Sequence, residues 1–384
     1  MVLEETECII QCRFCKTCNI IHTQPYPCYY IEPRLKIPAK LQITYVPYWR
    51  FKGIEFSLGK KWPGFKVIDQ SYLAVDDKSL PVSMGLRSQT QKLKFVRKGI
   101  EGSFLPPAVS RKDILKQIAG GSEKKIHIGE ILSLIFMPFY QDKGICYDGL
   151  SGKVTSTEVS GFISNGKSLP YHLEFTPSLC PDCGWDLEGE TDSLVLCCKN
   201  CLCFWLIHQK TLKKIKVKCY GTPEDAEMLL PFWRFEIEFQ ILNCSTYAQL
   251  IKMANIPKVV REEHRKQPVY FFTPAFKINP KLFLRIGRQI TLAQIVPTRI
   301  GALSKCRFHP VGLQLEEGFQ AVVPIVMDLC TNKEETVKIL IKERLKLTSF
   351  SLAYIPFRSS GSEYIQDSLG ISLPKNSIKF GRQL

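Results

Sequence analysis

Two Cys-x-x-Cys pairs stand fourteen residues apart near the middle of this chain, Cys180-Pro-Asp-Cys183-Gly-Trp and Cys198-Lys-Asn-Cys201. Each pair makes a tight turn that points two thiolates and several backbone N–H groups at one position. Two such turns supply the four sulfurs of a tetrahedral zinc site. Gly184 follows the first pair, where the turn needs a left-handed residue. Between the pairs, Glu188-Gly-Glu-Thr-Asp192 reads as a turn and Ser193–Cys197 as a strand. The spacing predicts a zinc ribbon holding one structural zinc on Cys180, Cys183, Cys198 and Cys201. Cys197 points away from Cys198 by the alternation of a strand, so it is expected to be a small buried hydrophobe. Cys203 would ligate only in a shifted register.

The chain holds 16 Cys among 384 residues, which bears on its compartment. Disulfide scaffolds are usually short and secreted. This chain is long, and its start, Met-Val-Leu-Glu-Glu-Thr-Glu, is acidic and lacks the apolar run of a secretory signal. Apolar stretches such as 131–140 and 321–327 are too short to span a bilayer. The expectation is a soluble, cytoplasmic protein with reduced thiols and no membrane insertion. A further group, Cys8, Cys12, Cys15, Cys18 and Cys28, forms an incomplete cluster. A degenerate zinc knuckle is the preferred reading, with a second zinc or no metal. Cys8-x3-Cys12-x2-Cys15 also has the spacing of the 4Fe–4S motif of radical S-adenosylmethionine enzymes, but the chain after it lacks the strand–helix alternation of a parallel barrel. Read as a ferredoxin run, it lacks the fourth Cys-Pro.

Self-comparison reveals an internal duplication. Tyr45-Val-Pro-Tyr-Trp-Arg-Phe51 recurs as Leu229-Leu-Pro-Phe-Trp-Arg-Phe235, and Ile135-Phe-Met-Pro-Phe139 as Ala353-Tyr-Ile-Pro-Phe357. Weaker landmarks fall in the same order. Leu86-Arg87 with Gln89 matches Leu284-Arg285 with Gln289, and Glu101-Gly102 matches Glu317-Gly318. A helical segment 110–118 matches 331–345, and Asp148-Gly-Leu-Ser-Gly matches Asp367-Ser-Leu-Gly. The Trp-bearing segments read as strands, with Gly53 marking a bulge in the first. Alternation puts Trp233, Phe235, Ile237 and Phe239 on a buried face, and Phe232, Arg234, Glu236 and Glu238 on an amphipathic one. Arg50 and Arg234 then point outward. Helices are expected to open at Thr222-Pro223 and to cover 245–254, 279–289 and 332–345, the last with acids in its first turn and bases near its end. The fold class is α+β: two homologous antiparallel-sheet domains, 35–155 and 225–384, a ribbon at 165–210 between them, and a Cys-rich segment at 1–34.

Carried by the CPxCG…CxxC ribbon, the duplicated Trp-Arg-Phe strands and the hairpin Met137–Lys153, the chain resembles uncharacterised bacterial zinc-ribbon proteins. The resemblance implies a zinc site and a structural role for these motifs, and no activity.

No glycine-rich phosphate loop, nucleophile elbow or paired-His metal motif is present in the sequence. The formal net charge is +16. Lys214, Lys216 and Lys218 alternate with Ile215, Val217 and Cys219, which suggests one lysine face on a strand. With Arg50 and Arg234 they are the candidate anion-binding residues, although lysines also guard sheet edges. The leading expectation is a non-enzymatic adaptor or assembly protein that presents surfaces to a protein partner. The alternatives are nucleic-acid binding and an iron–sulfur protein using the N-terminal cysteines.

Overall fold

A computed structural model describes residues 7–297 and 307–382, apart from 13, 15, 24–25, 39, 59–63, 98, 111–112, 115–123, 157–173, 209 and 222–225. Strand outweighs helix, and most ladders are antiparallel. Among the described residues there are sheets of three, eight, four and seven strands.

The two large sheets are each built on a Trp-bearing hub strand. Ile43–Leu58 pairs antiparallel with Lys124–Asp142, and Met228–Phe239 pairs antiparallel with Leu345–Ser360. In the first ladder Tyr45 faces Pro138, Pro47 faces Phe136 and Trp49 faces Leu134. In the second, Leu229 faces Pro356, Pro231 faces Tyr354 and Trp233 faces Leu352. Matching Pro47 with Pro231 and Pro138 with Pro356 therefore brings both ladders into one register. Both also slip at the same place, at Gly53 in one and beyond Glu236 in the other. The Gly53 bulge is where the sequence placed it.

The correspondence extends to the flanking strands. Phe104 pairs Tyr45 in parallel as Phe308 pairs Leu229. On the far side Cys28 pairs Leu134 as Val217 pairs Leu352, again in parallel. The weaker landmarks do not follow this register. Glu101-Gly102 leads into the strand Ser103–Phe104, whereas Glu317-Gly318 lies in the helix Leu315–Gln320. Gly318 is needed there because a Cβ would stand 2.5 Å from Trp233 Cδ1. Asp148 aligns by hairpin register with Gln366, one residue before the expected Asp367.

The expected amphipathic face holds only at the far end of the second hub, where Glu236 is half-buried and Glu238 exposed. Tyr45 to Phe51, and Met228 to Phe235, are buried on both faces. These hubs are inner strands with packing on each side, and a sequence pattern cannot report the second cover. Arg50 and Arg234 are accordingly buried, not outward.

The helices expected over 245–254, 279–289 and 332–345 are present as Tyr247–Met253, Pro280–Ala293 and Lys333–Lys342, with Thr246, Asn279 and Asn332 at their N-caps. Asn279 accepts from the Lys281 N–H and Asn332 from the Glu335 N–H. The helix expected to open at Thr222, and most of that at 110–118, lie outside the described residues.

The first large sheet has two apolar clusters of its own, one around Trp49 and Phe136 and one around Tyr48 and Phe139, and its far end joins a third. This third cluster brings together Phe56, Leu58, Ile126 and Ile128 of the first half, Val195, Leu206 and Ile215 of the small sheet, and Trp233, Phe271 and Leu352 of the second. Trp233 is fully buried and its indole N–H donates to Leu313 O at 3.0 Å. Trp233→Ala is expected to destabilise the protein by about 3–5 kcal/mol, measured as a lowered midpoint in chemical denaturation followed by far-UV circular dichroism.

Candidate metal centre

The four-stranded sheet comprises Leu187–Glu188, Val195–Cys198, Phe204–His208 and Thr211–Ile215, antiparallel in that order. One face, with Leu187, Leu196 and Trp205, packs against Ile9 and Ile20 of the N-terminal three-stranded sheet. Val195, Leu206 and Ile215 join the large core. The sheet is also held at its turn, where Arg382 binds Asp192 through two nitrogens and reaches Glu190.

The two Cys-x-x-Cys turns meet at one end of this sheet. The Cys180, Cys183, Cys198 and Cys201 sulfurs all lie within 4.8 Å of one another. Cys180 and Cys201 are 3.6 Å apart, and Cys183 and Cys198 are 3.5 Å apart. A tetrahedron with metal–sulfur bonds of about 2.3 Å has edges of about 3.8 Å, so the sulfurs need only small shifts to hold an ion. The first turn is closed by the Gly184 N–H donating to Cys180 O, with Gly184 at φ +72°. The residue in the same place after the second pair is Leu202, also left-handed at φ +54°. An L-residue with a Cβ is strained there, and Leu202 gains little packing in return, being 76% exposed.

The thiols differ in acidity. The Trp185 backbone and the Asn200 side chain hydrogen-bond Cys183 and bring its pKa down to about 6. Burial raises Cys198 and Cys201. Without metal, Cys183 gives up its thiol proton more readily than Cys198. Metal binding would displace such protons, since the ligand is the thiolate. Cys197 lies on the opposite face of its strand, beside Tyr354, and burial raises it to about 11. Cys203 stands outside the foursome, its thiol 3.7 Å from Asp182 Oδ2.

Among the described residues the N-terminal cysteines do not gather into one site. Cys28 is buried in the first large sheet against Trp49 and Phe136. Cys8 and Cys18 pack against the four-stranded sheet. Among the described residues no group of three potential ligands includes any of them, and Cys15 lies outside the described residues. The hairpin joining Ile9–Gln11 to Cys18–His22 nevertheless has a knuckle's closing bond. The Lys16 N–H donates to Cys12 O at 3.0 Å, with Lys16 at φ +62°. This is the segment whose Cys12-x2-Cys15 spacing reads as a degenerate knuckle, here closed with Lys16 in place of a glycine.

The candidate anion-binding residues are dispersed. Lys214 sits on the ribbon strand Thr211–Ile215 and pairs with Asp182, between Cys180 and Cys183. Lys218 belongs to Val217–Cys219, which joins the second large sheet. The expected single lysine strand is thus two strands, split at exposed Lys216, whose carbonyl accepts the Leu352 N–H. Arg50 is clamped by Asp69, both bonds at 2.8 Å. No family model, curated protein or solved structure matches this chain. Among the described residues no helix is long and apolar enough to cross a membrane.

Two outcomes follow from this geometry. Cys183→Ser is expected to lose the bound metal, while Cys197→Ser and Cys203→Ser retain it, as read by elemental analysis of protein purified without added metal. Leu202→Gly is expected to stabilise the protein by about 1 kcal/mol by relieving the left-handed strain, read as a raised thermal midpoint.

Proposed function

We propose that this chain is a zinc-binding, non-enzymatic adaptor or assembly protein of the cytoplasm, in which the ribbon presents a rigid docking platform. The observation that carries this reading is what stands at the tips of the two Cys turns. Trp185 follows the first pair and is 60% exposed, and Leu202 follows the second and is 76% exposed. Large apolar side chains rimming a polar hairpin are a feature of interaction sites. Backbone strain kept without a packing benefit points the same way. Zinc is the ion that best suits four thiolates in two such turns.

The two large sheets are read as a duplicated unit, with the ribbon between the copies. The shared ladder register and the paired Trp indole bonds support this reading. Nucleic-acid binding has less support, because Lys214 is neutralised by Asp182 and the lysine strand is broken. The iron–sulfur alternative rests on Cys8, Cys12 and Cys15, the last of which lies outside the described residues.

The protein is expected to purify colourless with about one zinc per chain; a brown preparation absorbing at roughly 400 nm would assign iron. Affinity capture from the source cell, after nuclease treatment, is expected to retain a protein partner. The double variant Trp185→Ala/Leu202→Ser should release that partner while keeping its zinc. Retention unchanged by the double variant, or abolished by nuclease, would remove this reading.

A further inference from the structure

The matched sheets diverge at their buried arginines. In the shared register Arg50 corresponds to Arg234, Ser133 to Ser351, Asp69 to Tyr270 and Tyr29 to Lys218. The first arginine has its acid within the sheet, bound bidentately at 2.8 Å. The second has lost that acid. Its guanidinium stacks on the Tyr270 ring instead, with Cζ 3.2 Å from the centroid.

Arg234 is only 9% exposed, and its Nε is buried without a hydrogen-bond partner. Two further buried polar atoms on the same face are unpartnered, Ser351 Oγ directly across the ladder and Tyr220 Oη. Tyr220 continues the strand of Lys218, and its ring packs edge-on against Phe272, the neighbour of Arg234. Glu236 is the next acid along this face, but its carboxylate accepts from Ser349 Oγ at 2.7 Å and makes no ion pair with Arg234. Burial pushes the Lys218 ammonium down, and Arg234 and Lys216 push it further. The same guanidinium opposes the effect of burial on the Tyr220 phenol. Tyr270 and Lys218 are half-buried and Lys216 is exposed, so the cluster opens to solvent at its rim.

Every unsatisfied group here can donate a hydrogen bond: a guanidinium Nε–H, two hydroxyls and an adjacent ammonium. A buried guanidinium without a counter-charge is unfavourable, and a forked donor beside a lysine complements a tetrahedral oxyanion. We propose that Arg234, Lys218, Tyr220 and Ser351 form a binding site for a phosphate group on the second sheet, which takes the place that Asp69 fills in the first. The site is independent of the ribbon and of its metal.

The test is calorimetric titration of the full-length, metal-loaded protein with inorganic phosphate at fixed ionic strength, with acetate as the carboxylate probe. Saturable phosphate binding is expected, with acetate at least about tenfold weaker because it carries one charge and two oxygens. Arg234→Gln should lower phosphate affinity by roughly tenfold or more. Tyr270→Asp keeps the arginine and restores the acid of the first half, so it should also lose binding while preserving the thermal midpoint. Absence of saturable binding, equal affinity for acetate, or wild-type affinity in Tyr270→Asp would each overturn the proposal.

Discussion

In each half of this protein the indole N–H of a buried tryptophan donates to a loop carbonyl, Trp49 to Val109 and Trp233 to Leu313. A buried indole left unpaired carries a desolvation penalty of about 1–3 kcal/mol, so each bond pins its loop strongly. The pinned loop carries the short strand that pairs in parallel with the start of the hub, through Phe104 or Phe308. In the second half it also anchors the four-stranded sheet. Val311, two residues before Leu313, accepts the N–H of Leu194 at 2.8 Å, and Leu194 leads into the strand that ends at Cys198. The four sulfurs are thus referenced to the hub through one loop, with Arg382 holding the opposite turn at Glu190 and Asp192.

The three left-handed turns with a cysteine at their start show how local chemistry and placement combine. Gly184 takes its conformation without steric cost, whereas Leu202 and Lys16 adopt it with a Cβ. Strain at Leu202 is held by the surrounding hairpin, in which the Cys198 N–H donates to Cys203 O. That leaves a leucine in solvent beside the site, opposite in character to the acid–lysine pair of Asp182 and Lys214. A tip with one apolar and one neutralised polar side suits a protein surface better than a phosphate backbone.

The two large sheets share one ladder register with different chemistry on it. Asp69 neutralises Arg50 inside the first sheet, and Tyr270 stacks on Arg234 in the second. A single cross-strand position decides whether a buried guanidinium is a closed structural pair or an open donor. Both arginines sit where Ser133 and Ser351 face them, so the difference lies in the side chains and not in the ladder.

The sequence by itself determined the four clustered cysteines, the recurrence of the Trp-bearing strands, the Gly53 bulge and the helices near 245–254, 279–289 and 332–345. Each of these is a local rule, in which spacing or side-chain type acts on backbone a few residues away. Tertiary structure alone decided that the hub strands are covered on both faces, because burial depends on what packs from elsewhere in the chain. It also divided Lys214 from Lys218 and removed Cys28 from the other N-terminal cysteines, since strand partners are chosen by long-range pairing. The contrast between Arg50 and Arg234 was equally hidden. It rests on which residue lies diagonally across a ladder, and that register is fixed by the whole sheet closing on its core and not by any segment within it.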